Sequence, residues 1–154
     1  MRTKVLVCVV LFSLLCGLAE ARGRRSYLQS SVAPDTSSVA DDPAPLYPAE
    51  KEMLVQINVI RERYGLVPFI LDSAIHALAR RHCIWMTRAR SMTHGGGYAE
   101  NIAMGQPNVE SVLSSWMNSS GHRANILNPR HTKIGIAGYT TPEGTAFWCQ
   151  RFAR

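Results

Sequence analysis

Apolar positions change their period along the chain, and each change marks an element. Residues 5–18 (VLVCVVLFSLLCGL) form an unbroken apolar run behind Arg2 and Lys4 and ahead of Ala19-Glu20-Ala21. A basic start, an apolar stretch and an A-x-A site make a secretory signal peptide, residues 1–21. The run falls short of the roughly 20 residues that cross a bilayer. Residues 22–45 (RGRRSYLQSSVAPDTSSVADDPAP) carry no apolar period and are rich in Ser, Pro, Ala and Asp, the composition of a disordered leader or linker.

The folded domain is expected over 46–154. Met53, Leu54, Ile57, Ile60 and Tyr64 recur at three- and four-residue steps between Pro48 and Gly65, which predicts a helix over 48–64 with a left-handed glycine cap. After the extended link LVPFIL, Asp72 caps a second helix whose stripe is Ile75, Leu78, Ala79, His82, Trp85 and Met86. Arg80, Arg81, Arg88 and Arg90 are expected to stay in water. Ser91 to Gly97 is a glycine-rich loop, and Tyr98 to Met104 is short and extended. Asn108 caps a third helix with Val109, Val112, Leu113, Trp116 and Met117 inward and Gly121 at its end. A single turn from His122 to Leu127 precedes Pro129. Ile134 and Ile136 alternate with Gly135 and Ala137, Thr141-Pro142-Glu143-Gly144 is a turn, and Phe147–Phe152 returns with large residues on both faces. The pattern is α+β, with helices flanking a small sheet.

Removing the signal takes Cys8 and Cys16 with it and leaves Cys83 and Cys149. An even pair in an exported chain reads as a disulfide, with two free buried thiols as the alternative. About 130 residues remain, enough for one small domain and a tail. The whole chain carries a formal charge of +6, a basic bias that favours acidic surfaces such as anionic lipids or polysaccharides. No nucleic-acid motif and no later membrane-spanning segment appears, and a monomer is expected. Arg22-Gly23-Arg24-Arg25 fits a dibasic processing site or a plain basic tail, and Asn118-Ser119-Ser120 is an N-glycosylation sequon.

The chemistry concentrates in residues 91–128, which hold His94, Glu100 and His122. Two imidazoles and one carboxylate can bind a divalent metal, and a His2Glu set with an open water position is a zinc arrangement. The alternative is that Glu100 accepts hydrogen bonds from the histidines or loop amides and pins the corner together. Asn101, Arg123 and Asn125 read as supports of the loop backbone. His76 reads as surface, His82 as a part-buried, satisfied histidine, and Trp85, Trp116 and Trp148 as core. His131 is assigned nothing.

Taken together, HGGGYAENIA, V-x-x-W-M-N-S-x-GHRANIL, IGI and FWCQRF resemble the CAP superfamily of cysteine-rich secretory, antigen-five and pathogenesis-related group-one proteins. Asn58, Arg61, Gly65, Leu66 and Pro68 match that family's opening motif. The GHRANIL form is most similar to the short bacterial-type branch. The resemblance implies a three-layer α-β-α sandwich with a small antiparallel sheet between helical layers. It also implies a cleft with a His-Glu-Glu-His tetrad, of which His94, Glu100 and His122 match three members. Ser119 stands where the second glutamate is expected, and Glu110 lies nearly two turns from Trp116 and is no substitute. The loss of that acid weakens an enzymatic reading. No cofactor is required by the pattern, and zinc is the candidate metal.

Three functions follow as expectations. The first is a secreted binding or defence-type module with a lipid or sterol ligand. The second is a metal-dependent extracellular hydrolase. The third is an interaction domain whose His/Glu cluster is purely structural. The loop IAMGQPNV (102–109) lacks the aromatics of the fungal sterol-binding loop.

Overall fold

The computed structural model describes residues 45–154. The signal peptide at 1–21, the basic site at 22–25 and nearly all of the leader lie outside the described residues. Four helices and four strands follow in the order α1 (Pro48–Arg63), β1 (Ile70–Leu71), α2 (Ser73–Ala89), β2 (Ala99–Met104), α3 (Val109–Asn118), α4 (Ser120–Ile126), β3 (Lys133–Thr140) and β4 (Ala146–Ala153). Among the described residues no helix is long and apolar enough to cross a membrane.

The sheet runs β1-β3-β4-β2. The pairs β3–β4 and β2–β4 are antiparallel, whereas β1 lies parallel to β3, so the sheet is mixed and not wholly antiparallel. The alternating pleat sends successive side chains to opposite faces. Ile134, Ile136, Trp148 and Phe152 meet Met53 and Ile57 of α1, Val112, Leu113 and Trp116 of α3 and Ile126 of α4. Ala137, Phe147, Cys149 and Ile102 meet Ala79, Cys83 and Met86 of α2. These two cores make the α-β-α sandwich. They also explain why seven of the eight β4 residues are buried, since β4 has helices on both sides.

The helix ends follow their local chemistry. Asp72 Oδ1 accepts the Ile75 N–H at 3.0 Å and Asn108 Oδ1 accepts the Ser111 N–H at 2.9 Å. Glu50 accepts the Tyr47 N–H at 2.9 Å at the start of α1. The α3–α4 junction departs from expectation. Ser119 is extended (φ −99°, ψ 122°), and a separate seven-residue helix begins at Ser120, so Gly121 lies inside α4 and does not end α3.

Several side chains are not where the periodicity put them. Tyr64 is exposed at the end of α1, and Trp85 is 49% exposed, because α2 turns Cys83 and Met86 inward in its place. His76, expected at the surface, is buried. Its Nδ1 accepts the Ile136 N–H at 3.4 Å, and its Nε2 lies 3.7 Å from Glu50 Oε2. Burial lowers its pKa, with Glu50 pulling the other way. Arg80 is not free in water either. It donates twice to the buried Glu50 carboxylate and stacks on Tyr47.

The expected disulfide is not formed. Cys83 and Cys149 are free thiols in one buried cluster. They face different acceptors, Cys83 Sγ donating to Phe147 O at 3.2 Å and Cys149 Sγ to Glu100 Oε1 at 3.7 Å. Desolvation pushes Cys83 up to about 12 and Cys149 well above its ordinary value, so both stay protonated.

Candidate functional site

Glu100 is the centre of the site, and its position on β2 decides its partners. Register places it opposite Arg151 of β4, on the α2 side of the sheet. Its side chain is 2% exposed. Oε1 accepts from Arg151 Nε at 2.9 Å and from the Cys149 thiol. Oε2 accepts the Gly95 N–H at 2.8 Å and meets His94 Nδ1 at 3.1 Å. His82 Nε2 lies 3.6 Å from Oε1 and hydrogen-bonds Thr93 O at 2.9 Å. One carboxylate therefore holds the 93–95 loop against β4. Gly95 is needed there, since a Cβ at that position would fall 2.0 Å from Arg151 Nη2. Gly97 turns with φ +88°, which other residues rarely adopt.

The next residue faces the other way. Asn101 is wholly buried opposite Gln150 and donates to His122 O at 3.1 Å. Its Oδ1 accepts from Asn125 Nδ2 at 2.9 Å, and Asn125 also reaches Glu100 O at 3.3 Å. This network seats α4 on the β2 edge and sets where His122 stands, 6.4 Å from the Trp116 ring. Burial first, and His94 second, lower the His122 pKa, so its imidazole is neutral at pH 7. His94 is 62% exposed along its side chain.

Of the residues singled out by the sequence, Asn101 and Asn125 support the corner. Arg123 does not; it is exposed and makes no side-chain hydrogen bond among the described residues. Ser119 is half-buried, and its side chain caps nothing in α4. Asn118 is exposed at the end of α3. Sequence reasoning missed Arg151, and missed the Cys149 thiol as a donor to Glu100; the Gly95 amide is one of the loop amides it expected. The signal for Arg151 was the strand register, because pairing β2 with β4 sets Glu100 against it.

The chemistry of this arrangement is narrower than a His2Glu triad. Among the described residues no three His, Cys, Asp or Glu side chains gather around a point that would hold a metal ion. Both Glu100 oxygens are already taken by donors. A carboxylate in this position fixes the orientation of a histidine ring. With Nδ1 held by Glu100, His94 keeps Nε2 for a ligand, and the neutral His122 offers the second imidazole. Two nitrogen donors fit a divalent ion that keeps water on its remaining positions.

A separate groove lies between α1 and α3. It holds about 440 Å³ and is lined by the apolar Val55, Val59, Ile60, Leu113 and Met117 and by the polar Gln56, Arg63, Glu110 and Ser114.

Residues 54–152 match the model of CAP, the cysteine-rich secretory protein family. The chain is 33% identical over 140 residues to the Bacillus subtilis (strain 168) protein named "Uncharacterized protein YkwD". That match takes in 79% of this chain and 53% of the relative, so the chain spans about half the relative's length. The structure superimposes on an extracellular protein containing an SCP domain from Bacillus anthracis str. Ames with a TM-score of 0.62 and 25% identity, over 72% of this chain and 45% of that one. It superimposes on the crystal structure of NaASP2 with Zn2+ with a TM-score of 0.57 and 11% identity, over 73% and 82% of the two chains, a likeness of fold alone. Matched over nearly two thirds of its length, this chain belongs to the CAP family of cysteine-rich secretory proteins.

Proposed function

We propose that this chain is a secreted, non-catalytic binding module, with residues 1–21 as signal peptide, 22–45 as leader and a CAP domain over 46–154, whose cleft presents His94 and His122 to a divalent metal such as zinc. The engagement of Glu100 carries this reading. A general base needs a free carboxylate within reach of the water it activates. Glu100 instead spends both oxygens on Arg151, Gly95, His94 and Cys149. Ser119 supplies no second acid. His94 and His122 would hold the metal, Glu100 would orient His94, and the ion would supply a positive anchor for an anionic or carbonyl ligand. The SCP-domain relative described as extracellular and the zinc-bearing NaASP2 structure support this reading.

Calorimetry at neutral pH tests it. Zinc is expected to bind one to one and weakly. His94→Ala and His122→Ala are each expected to abolish binding, and Glu100→Gln to weaken it roughly tenfold or more. Zinc heats that survive both histidine variants would remove the proposal.

The α1–α3 groove favours a second ligand, an acyl chain or sterol. Val55 and Val59 are exposed at 58% and 40% and face the cavity, where an apolar ligand would cover them. Radiolabelled palmitate should be retained by the purified protein and lost in Val59→Asp. Equal retention by both would reject this ligand.

A further inference from the structure

The outer face of α2 carries basic side chains and no acidic ones. Residues 73–92 (SAIHALARRHCIWMTRARSM) contain no Asp or Glu and four arginines. Two of these are spoken for, Arg80 by Glu50 and Arg90 by Glu143. Arg81 and Arg88 are exposed and make no ion pair among the described residues. Trp85 stands between them at four- and three-residue spacing, so the three side chains share one outward stripe. Arg81 and Arg88 are separated by about 10 Å along the helix axis.

The Trp85 ring is not loose. It lies 5.9 Å from the His82 ring with only 8° between their planes. His82 is fixed in turn by Thr93 O and the edge of Glu100. One face of the indole is thus stacked on a held imidazole, while the side chain as a whole is half exposed. A flat aromatic face, pre-oriented and flanked by two unpaired guanidinium groups, is complementary to a sugar ring carrying acidic groups. The C–H face of the sugar covers the indole, and the arginines take carboxylate or sulfate oxygens through paired N–H donors. Insertion into a membrane suits this face less, because a single indole held flat against the protein has little apolar surface to offer.

We propose that the Arg81–Trp85–Arg88 face of α2 binds an acidic polysaccharide, with Trp85 stacked under one sugar and the two arginines on acidic groups to either side. This face uses none of the proposed metal donors of the His94–His122 cleft, although His82 and His94 both lean on Glu100. Binding needs no bond made or broken, and it would hold the domain on an acidic cell-wall or matrix polymer.

The test is titration of the full chain with a size-defined heparin oligosaccharide, with neutral dextran and phosphatidylserine vesicles as comparison probes. Heparin should bind, and binding should weaken as salt rises, because exposed charges are screened. Arg81→Gln/Arg88→Gln should lower affinity about tenfold and flatten the salt dependence. Trp85→Ala should lower it about fivefold and leave the salt dependence unchanged, since it removes stacking and no charge. Changing Arg22, Arg24 and Arg25 to Gln should leave binding in place, which separates α2 from the basic leader. Unchanged melting temperatures would show that the α2 variants are folded. Wild-type affinity in Trp85→Ala, loss of binding in the leader variant, or binding to vesicles without binding to heparin would each overturn the proposal.

Discussion

Arg61→Ala is expected to remove about 4 kcal/mol or more of unfolding free energy, read as a large drop in the urea midpoint. Arg61 is wholly buried, yet no carboxylate pairs with it among the described residues. Its charge is met by main-chain carbonyls. Nε donates to Val67 O at 2.8 Å, Nη1 to Ile126 O at 2.6 Å and Asn128 O at 3.2 Å, and Nη2 to His131 O at 3.0 Å. The guanidinium also lies 3.8 Å from the centre of the Phe69 ring. Burial lowers its pKa below the ordinary arginine value. These carbonyls belong to two separate segments, the link after α1 and the stretch from the end of α4 to β3. Alanine would take the donor from the Val67, Ile126 and His131 carbonyls, while Asn128 O keeps the His131 N–H, at about 1–3 kcal/mol for each group left buried, and would open a cavity under Phe69. Arg61→Lys keeps the charge but not the planar fork, and should fall between the two. A midpoint for Arg61→Ala close to wild type would show that the two segments hold without it.

Gly135→Ala should cost about 3 kcal/mol or more in the same measurement. A Cβ at this position would lie 2.4 Å from both the carbonyl carbon and oxygen of Ile75 and 2.6 Å from His76 N. All three are backbone atoms of α2, so no rotamer change relieves the clash. The first turn of α2 would have to lift off β3 and break the His76–Ile136 hydrogen bond. Gly138→Ala is the comparison, because its nearest atoms belong to a side chain, the buried Trp148 ring at 2.6 and 2.8 Å, and not to backbone; it should also destabilise, but at the cost of the Trp148–Gln106 hydrogen bond and not of the α2 position. A Gly135→Ala midpoint close to wild type would mean that α2 slides easily and that the close approach is not a constraint.

Most of the fold was legible in local signals. Asp72, Asn108 and the Thr141–Gly144 turn mark real element ends because their side chains and backbones act on near neighbours. The α-β-α layering could be read from β4, whose large residues on both faces require two covers. What failed depended on the partner. Trp85 lies next to the α2 stripe, and only the position of β3 and β4 decides that Cys83 and Met86 go in while Trp85 stays out. His76 looked like surface until Gly135 brought β3 against the helix. The parallel pairing of β1 rests on two residues, too few for any period to show.

The site divided along the same line. His94, Glu100 and His122 could be named from their motifs, and Asn101 and Asn125 from theirs. The role of Glu100 could not, because it is set by Arg151, fifty-one residues later and reached only through strand register. Alternation along β2 then sends the neighbours Glu100 and Asn101 to opposite faces, so Glu100 joins a carboxylate network on one side and Asn101 anchors α4 on the other. The paired cysteines misled for a related reason. Both are buried in one cluster, but each thiol is turned toward its own oxygen acceptor.

The position of β4 has a consequence for how the molecule is made. It is the last strand of the domain in sequence, yet β3 and β2 lie on either side of it and do not pair with each other. Until β4 emerges, β2 has no neighbour, and the Glu100, Ile102 and Trp148 environments do not exist. The contacts that complete the sheet join residues about fifty positions apart, which makes folding slow. Within the domain, β2 and the helices on both faces of the sheet therefore wait for β4 before they can close.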